Sequence, residues 1–299
     1  MGPVPLEMNE TDVQYDKLRF TKKGTKEVFW NGFPSCSGGP IGCCIKSQRF
    51  CHLAMSMELR EVVILDARKR ESLRYEQTGF TLLPLKSSVT DWAQVPADGS
   101  EQQLVFSAEL EKVIRELHPT VEKVTFASFL LRGGGANPPA TNGLHLDMYP
   151  DLGRISAFRQ GSAGAQSEEP EAGLRLGLVL GLWMPREMAN PVYDYPFFFG
   201  DMSTFDLTDV VAQKQDFYQD AAGHKQRVRN IAASAPVYSP AQRWYYYSQQ
   251  TCDEVVIFRH LTNPPGGKAC FHAAFEQPLP DGMESRKSVE TRAFLYFKD

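Results

Sequence analysis

Short hydrophobic runs of strand length dominate the chain from about residue 121 onward, and turns rich in glycine and proline separate them. This pattern is typical of antiparallel β structure. Eight strands are predicted, over residues 121–132, 143–149, 174–185, 195–202, 243–250, 253–261, 268–277 and 288–299. Eight strands at this spacing predict a mainly β fold of the jelly-roll or barrel type, which closes its own sheet edges, and the double-stranded β-helix is such a fold.

The first third of the chain has a different pattern, with few strands and one helix. Residues 61–66 (EVVILD) and 78–85 (TGFTLLPL) are apolar runs that predict strands. Residues 107–117 repeat apolar side chains at helical spacing, and Ser107 is the predicted N-cap of that helix.

One domain over residues 1–299 is the predicted organisation, because closed β folds often reach this size as a single unit. Within it, residues 1–120 are predicted to wrap a β-helix core formed by residues 121–299. Residues 205–230 are predicted to be a helical insertion between strands. Such an insertion could cover the mouth of the barrel.

Composition and charge narrow the classes of partner. The net charge of −4 gives no electrostatic reason to bind nucleic acid or an anionic membrane surface. No stretch approaches the roughly 18 apolar residues of a membrane span. The N-terminus lacks a signal-peptide pattern, so the six cysteines are expected to be reduced thiols. We therefore expect a cytoplasmic protein that acts on a small molecule, as a monomer or a homodimer.

The first candidate for chemistry is the His-x-Asp pair formed by His145 and Asp147 on a predicted strand. Side chains at positions i and i+2 of a strand face the same way, so both point into one cavity, although a chance surface pair is the alternative. His272 lies on a later predicted strand. Two imidazoles and one carboxylate on one side of an iron(II) ion leave three positions open, which a 2-oxo acid and O2 could fill. We predict that these three residues hold a catalytic iron(II).

A fixed cation is needed if the 2-oxo acid is 2-oxoglutarate, whose far carboxylate must be bound. A guanidinium binds a carboxylate through two hydrogen bonds, and a nearby serine hydroxyl can add a third. Arg286, Ser288, Glu290 and Arg292 share one face of the last predicted strand. Arg286, Ser288 and Arg292 are therefore the predicted cofactor-binding residues, with either arginine as the main one. A surface ladder of ion pairs is the alternative.

Three further residues are predicted to contact the substrate. Arg132 precedes a glycine-rich loop and could anchor an anionic group, although an arginine at a strand end is often only solvated. Tyr149 and Trp183 could line the pocket, and packing in the core is their alternative. His118 and His260 have no ligand-like partner along the sequence and are predicted to be structural or surface residues.

Beyond about Glu58 nearly the whole chain resembles the fungal asaB-type hydroxylase/desaturase family, which is related to the CmcJ component of bacterial cephalosporin methoxylation. Ordered blocks carry the resemblance: EVVILDARKRE, TGFTLLPLKSSVTDW, FASFLLRGG, HLDMYPDLG, the WMP of LGLWMPREMANPVYDYPFFFGDMS, QRWYYYSQQTCDEVVIFRHLTN, and FHAAFEQP with RKSVETRAFLYF. The resemblance implies a double-stranded β-helix with iron and, in most members, 2-oxoglutarate.

Carried over residue by residue, the resemblance places the metal ligands on His145, Asp147 and His272. Arg286 and Arg292 match the closing Arg-x-Ser-x-Glu-x-Arg stretch of the family. Where the family often has Asn-x-Trp-Arg-Pro, this chain has Gly-Leu-Trp-Met-Pro at residues 181–185, which predicts an altered substrate pocket.

The expected function is therefore that of an iron(II)- and 2-oxoglutarate-dependent oxygenase. It would oxidise a C–H bond of a small molecule, by hydroxylation, desaturation or oxidative cyclisation, in secondary metabolism. Two alternatives stay open at this point. The first is a metal-dependent enzyme that does not use 2-oxoglutarate, such as a zinc hydrolase with the same ligands, and the second is a non-catalytic barrel that binds a metabolite.

Overall fold

The computed structural model describes residues 13–21, 28–30, 57–134, 143–146, 173–206, 236–262 and 269–299, together with four short strands between residues 212 and 233. The strands are β1 (Val13–Thr21), β2 (Val28–Trp30), β3 (Met57–Asp66), β4 (Phe80–Pro84), β5 (Lys123–Phe126), β6 (Leu130–Arg132), β7 (Leu174–Pro185), β8 (Phe197–Gly200), β9 (Ala212–Gln215), β10 (Tyr218–Gln219), β11 (Lys225–Gln226), β12 (Asn230–Ala233), β13 (Trp244–Tyr246), β14 (Glu254–Thr262), β15 (His272–Ala274) and β16 (Ser288–Lys298). The α-helices are α1 (Tyr75–Thr78) and α2 (Glu101–Leu117).

Two large sheets face each other. The first has the strand order β1-β3-β13-β8-β15, and His145 extends it by a bridge to His272. The second has the order β4-β14-β7-β16-β5, and β6 also pairs with β16. One buried cluster contains Phe199 and Tyr245 of the first sheet together with Trp183 and Val256 of the second. All eight segments predicted to be strands contribute to these sheets, which confirms the mainly β fold.

Strand alternation explains how the second sheet can be buried on both faces. Along β7, Leu180, Leu182 and Met184 pack with Phe106 and Leu110 of helix α2 on the outer face. The odd-numbered positions of the same strand point between the sheets. Each large apolar side chain buried in this way contributes on the order of 2 kcal/mol to folding. Side chains on the inner face of the second sheet line a cavity.

The N-cap of helix α2 lies seven residues earlier than the sequence predicts, so the proposed N-cap at Ser107 is wrong. The N-cap is Ser100, whose Oγ accepts a hydrogen bond from the Gln103 amide at 3.0 Å. The Gln103 side chain in turn accepts from the Gly99 amide at 2.7 Å. Phe106 belongs to the buried stripe, so the apolar period starts before the residues used for the prediction.

The predicted helical insertion at residues 205–230 is also wrong for those of its residues that the structure describes. Residues 205 and 206 are in no helix or strand, and the described residues from 212 onward form β9, β10, β11 and the start of β12. Strand β9 pairs antiparallel with β12 and parallel with β2, and β10 pairs with β11. These residues are mostly polar and compatible with either structure. Pairing with a distant strand decides between them, and the local pattern does not contain that information.

In the described part of the chain, no helix is long and apolar enough to cross a membrane.

A histidine at the end of helix α2 makes the stability of the fold sensitive to pH. The Tyr75 hydroxyl lies 3.0 Å from Nε2 of His118, and the guanidinium of Arg259 lies 4.5 Å from the Tyr75 ring centre. Burial, followed by the positive charge of Arg259, lowers the pKa of His118 from 6.5 to about 4. The folded state therefore favours the neutral ring. Its contribution to stability is present above pH 6.5 and is lost as the pH falls toward 4.

We expect the free energy of unfolding of the wild type to fall more steeply between pH 6.5 and pH 4 than that of His118→Gln, which cannot titrate in this range. Urea unfolding followed by fluorescence at several pH values measures both slopes. Parallel curves for the two proteins would show that His118 does not titrate with the depressed pKa.

Candidate active site

A cavity of about 190 Å³ lies between the two sheets. Its walls combine aromatic rings with several charged or titratable groups, a composition typical of a small-molecule site. The aromatic wall is formed by Trp183, Phe197 and Phe258, and the polar groups are Arg132, His145, His260, His272, Arg286, Glu290 and Arg292.

His145 and His272 lie side by side at this cavity. Their backbones exchange two hydrogen bonds, of 3.2 and 3.0 Å, and their ring centres are 4.5 Å apart. The neighbours Leu144, Leu146 and Ala273 all pack in the cluster on the outer face of the first sheet. Strand alternation therefore turns both imidazoles inward, as the sequence predicts for His145 and His272.

Both imidazoles are held by the same kind of hydrogen bond. Nδ1 of His272 lies 3.0 Å from the Cys270 carbonyl, and Nδ1 of His145 contacts the Gly143 carbonyl. A carbonyl only accepts, so each Nδ1 carries the proton. That tautomer leaves the lone pair on Nε2, which is how histidines that ligate a metal are usually oriented.

Asp147 and Tyr149, two of the residues predicted for the site, lie outside the described residues. Within the described ranges, no group of three or more His, Cys, Asp or Glu side chains could hold a metal ion. The predicted third ligand, Asp147, follows His145 by two positions and is the first residue beyond the described range 143–146.

Arg286 is a buried cation at the wall of the cavity, with 2% of its surface exposed. Its Nη1 donates to the Tyr195 carbonyl, and its guanidinium centre lies 4.9 Å from the Trp183 ring centre. Its Nε has no hydrogen-bond partner among the described residues. Burial lowers the pKa of Arg286 to about 10, and the group remains charged at neutral pH. A buried guanidinium without a bonded carboxylate is suited to bind an anion.

Ser288 and Arg292 follow Arg286 on the same chain segment. Ser288 is completely buried, and its Oγ makes no hydrogen bond to any described residue. Arg292 lines the cavity from the middle of β16, where its Cα pairs with that of Gly181 on β7. The two candidate arginines are therefore both at the cavity wall but lie at different positions along it.

Arg132 also reaches the cavity, but its charge is already balanced. Its Nε and Nη2 donate to the two carboxylate oxygens of Glu290 at 3.1 and 2.9 Å. This pair occupies the two guanidinium donors that a bound anion would otherwise use. Arg132 can therefore offer a polar contact, while the carboxylate beside it limits its use as an anchor for an anion.

Trp183 lies in the aromatic wall, as predicted. Its ring stacks on Phe197 with the ring centres 5.4 Å apart. Its indole Nε1 is buried and lacks a hydrogen-bond partner within the described ranges. Trp183 therefore gives the cavity an apolar surface, and the Arg286 guanidinium lies against the same ring.

His260 is a cavity residue that sequence reasoning missed. It is 1% exposed, and its ring centre lies 5.3 Å from that of His272. The pairing of β14 with β7 shifts register between Arg259 and Leu261, and such a bulge re-aims a side chain. A Cβ on Gly181 would lie 2.5 Å from the His260 Nε2, so the glycine makes room for this ring. A bulge leaves no signal in the sequence, whereas a glycine inside a strand is a weak one.

Comparison with known proteins places these features in a family. The model of the oxidoreductase/YMDC permease-like domain matches residues 44–296. The hydroxylase/desaturase efuI of Hormonema carpetanum is 32% identical over 84 residues, which are 27% of this chain and 26% of that protein. The alpha-ketoglutarate-dependent dioxygenase phiK of a fungal species is 23% identical over 256 residues, which are 81% of this chain and 86% of that protein.

Solved structures show the same fold. The iron and alpha-ketoglutarate-dependent endoperoxidase NvfI superposes with a TM-score of 0.68 at 18% sequence identity, over 97% of this chain and 100% of that one. A second NvfI structure, in a different conformation, gives a TM-score of 0.69 at 19% identity. The jelly-roll fold predicted from the strand pattern is thereby confirmed.

Proposed function

This chain belongs to the oxidoreductase/YMDC permease-like domain family, and from that premise we propose that it is an iron(II)- and 2-oxoglutarate-dependent oxygenase that oxidises a C–H bond of a small molecule. Its fungal relatives are a hydroxylase/desaturase and an alpha-ketoglutarate-dependent dioxygenase, which is consistent with a role in secondary metabolism. A cytoplasmic location is part of the same proposal.

The proposed iron ligands are His145, His272 and Asp147. Support for the two histidines comes from their adjacent inward rings, whose Nδ1 atoms are held by backbone carbonyls. The carboxylate of Asp147 would complete a set that leaves three positions on the ion open. Two imidazoles alone would bind iron(II) weakly, so the third ligand is required by the chemistry.

The observation that carries the proposal for 2-oxoglutarate is the buried guanidinium of Arg286 with its Nε left without a partner. The far carboxylate of 2-oxoglutarate would satisfy this charge, and the unpartnered Ser288 Oγ would donate a further hydrogen bond. The charges of Glu290 and Asp194 act on Arg286, but among the described residues no carboxylate is hydrogen-bonded to the buried guanidinium, and a buried charge left in this state favours an anionic ligand. We therefore assign this role to Arg286 rather than to Arg292.

Iron(II) with 2-oxoglutarate and O2 supplies the oxidising power, and the chain supplies position and shielding. Trp183, Phe197 and Phe258 form a wall that excludes water from the reacting C–H bond. The wall also holds the substrate at a fixed distance from the metal ligands, which selects the bond that reacts.

The proposed substrate contacts are Arg132, Trp183 and Tyr149. Arg132 would hydrogen-bond to a polar group of the substrate while Glu290 balances its charge. Trp183 would contact the substrate through the apolar face of its ring. A cavity of about 190 Å³ accepts a small metabolite or one part of a larger one.

We expect the metal-free protein, titrated without oxygen, to bind iron(II) and then to develop a weak visible charge-transfer band when 2-oxoglutarate is added. Glutarate is the matched control, because it keeps both carboxylates but lacks the 2-oxo group that chelates the metal. No band in a folded, iron-loaded protein would reject the use of 2-oxoglutarate and would favour a metal enzyme of another kind or a binding protein.

A further inference from the structure

A buried carboxylate holds the backbone of Arg286. Asp194 is 4% exposed, and its Oδ1 accepts a hydrogen bond from the Arg286 amide at 2.8 Å. Its Oδ2 accepts from the Ser285 hydroxyl. Both bonds go to neutral donors that lie more than 90 positions later in the chain. Burying a carboxylate is unfavourable unless its oxygens accept hydrogen bonds, and these two bonds supply one acceptor contact for each oxygen of Asp194.

The next residue holds the side chain of Arg286. Tyr195 has a φ of 49°, a backbone conformation that is rare and unfavourable for a residue with a side chain. Its carbonyl accepts from Nη1 of Arg286. A strained residue is retained where the surrounding structure requires it, and here the required feature is the direction of this carbonyl.

Gly133 packs closely against the backbone carbonyl of Arg286. Its φ is +72°, and a Cβ at this position would lie 2.1 Å from the Arg286 carbonyl oxygen. Only glycine allows this approach. With the Trp183 ring lying against the guanidinium, Arg286 is held at its amide and its side chain, and Gly133 packs against its carbonyl. The guanidinium, whose buried Nε has no partner among the described residues, is thereby kept in one place beside the cavity that Arg286 lines.

We propose that Asp194 is a positioning residue, which acts with the Tyr195 carbonyl to hold Arg286 in the orientation that binds the far carboxylate of 2-oxoglutarate. This inference rests on the proposed function. Asp194 bonds to the amide and not to the guanidinium, so it fixes Arg286 without consuming the hydrogen bonds that the ligand needs. A group ordered before binding loses less entropy when the ligand arrives, which strengthens binding.

The test is the affinity of the iron(II)-loaded protein for 2-oxoglutarate, measured without oxygen from the charge-transfer band. Asp194→Asn keeps one carbonyl oxygen for the Arg286 amide but cannot accept at both positions. We expect its dissociation constant for 2-oxoglutarate to rise about tenfold, with iron binding unchanged, because the Asn side chain loses the charge and turns an NH2 donor toward one of the two donors that Asp194 binds. Ser285→Ala, at an exposed position, removes only the hydroxyl partner and should raise the constant about threefold.

Asp201→Asn is the matched control. Asp201 is also a buried aspartate, but its carboxylate accepts from the amide and hydroxyl of Ser203. Its loss should lower stability and leave the affinity for 2-oxoglutarate unchanged. If Asp194→Asn does not fold, Ser285→Ala carries the test.

A second ligand separates positioning from general damage. 2-Oxopentanoate chelates iron as 2-oxoglutarate does but has no far carboxylate. Asp194→Asn should bind it as well as the wild type does, because Arg286 has nothing to bind. Equal weakening for both acids, or wild-type affinity for both in Asp194→Asn and Ser285→Ala, would overturn the inference while the proposed function stands. Absence of the band in the wild type itself would reject the proposed function.

Discussion

Replacement of Arg286 by methionine is expected to weaken 2-oxoglutarate binding at least about a hundredfold, without lowering the stability of the metal-free protein. The affinity falls because two charge-assisted hydrogen bonds to the far carboxylate are lost, and a hundredfold corresponds to about 2.7 kcal/mol. Stability should stay level or rise, because a buried cation without a bonded carboxylate gives way to an apolar chain that can rest on Trp183.

Two measurements on the same variant check this expectation. Urea unfolding in the absence of iron and 2-oxoglutarate gives the stability, and the anaerobic charge-transfer titration gives the affinity. A binding role predicts that the affinity for 2-oxoglutarate falls while the free energy of unfolding does not. A large loss of stability in Arg286→Met would mean that the guanidinium is mainly structural.

Arg292→Met is the matched control, because Arg292 lines the same cavity from the same strand segment. We expect its affinity for 2-oxoglutarate to change by less than about threefold. The reverse result, with Arg292→Met losing the ligand and Arg286→Met retaining it, would move the carboxylate site to the middle of β16.

The choice between these arginines shows what the sequence alone could not provide. Counting by twos along the last strand correctly brings Arg286 and Arg292 to one cavity. What distinguishes them is contact with distant residues. Tyr195 and Asp194 fix Arg286, and its guanidinium lies against Trp183. None of these contacts follows from periodicity, which reports a face of a strand but not its neighbours across the fold.

The helices and strands were also predictable only where the local sequence pattern determines them. Seven of the eight predicted core strands coincide with strands of the structure, because their apolar runs reflect burial, which the sequence records directly. Of the eighth, residues 143–149, the structure describes only 143–146, where His145 forms a bridge to His272. The local pattern of residues 205–230 predicts a helix, but its mostly polar residues fit a strand as well, and pairing of β9 with β12 and β2 makes the described part a sheet. His260 was missed because a bulge in β14 turns it toward the cavity. Local periodicity therefore predicts the core well, whereas bulges and long-range pairing need the structure.

His272→Ala is expected to reduce iron(II) affinity by at least about a hundredfold, since it removes one of three proposed ligands and with it several kcal/mol of metal binding. The fold should persist, because the two backbone hydrogen bonds with His145 do not depend on the side chain. The small hole left beside Phe197 and Phe258 should cost roughly 1–3 kcal/mol of stability. Anaerobic equilibrium dialysis with iron(II) measures the affinity, and thermal unfolding checks the fold.

His260→Ala is the control that makes this result specific, because it removes a second buried imidazole whose ring centre is 5.3 Å from that of His272. We expect His260→Ala to retain iron, since the ligands proposed are His145, Asp147 and His272. Loss of iron in both variants would place His260 in the metal set and make the centre richer in histidine than the sequence predicts. Retention of iron in His272→Ala would leave the paired imidazoles as a packing feature and remove the main support for a metal between the two sheets.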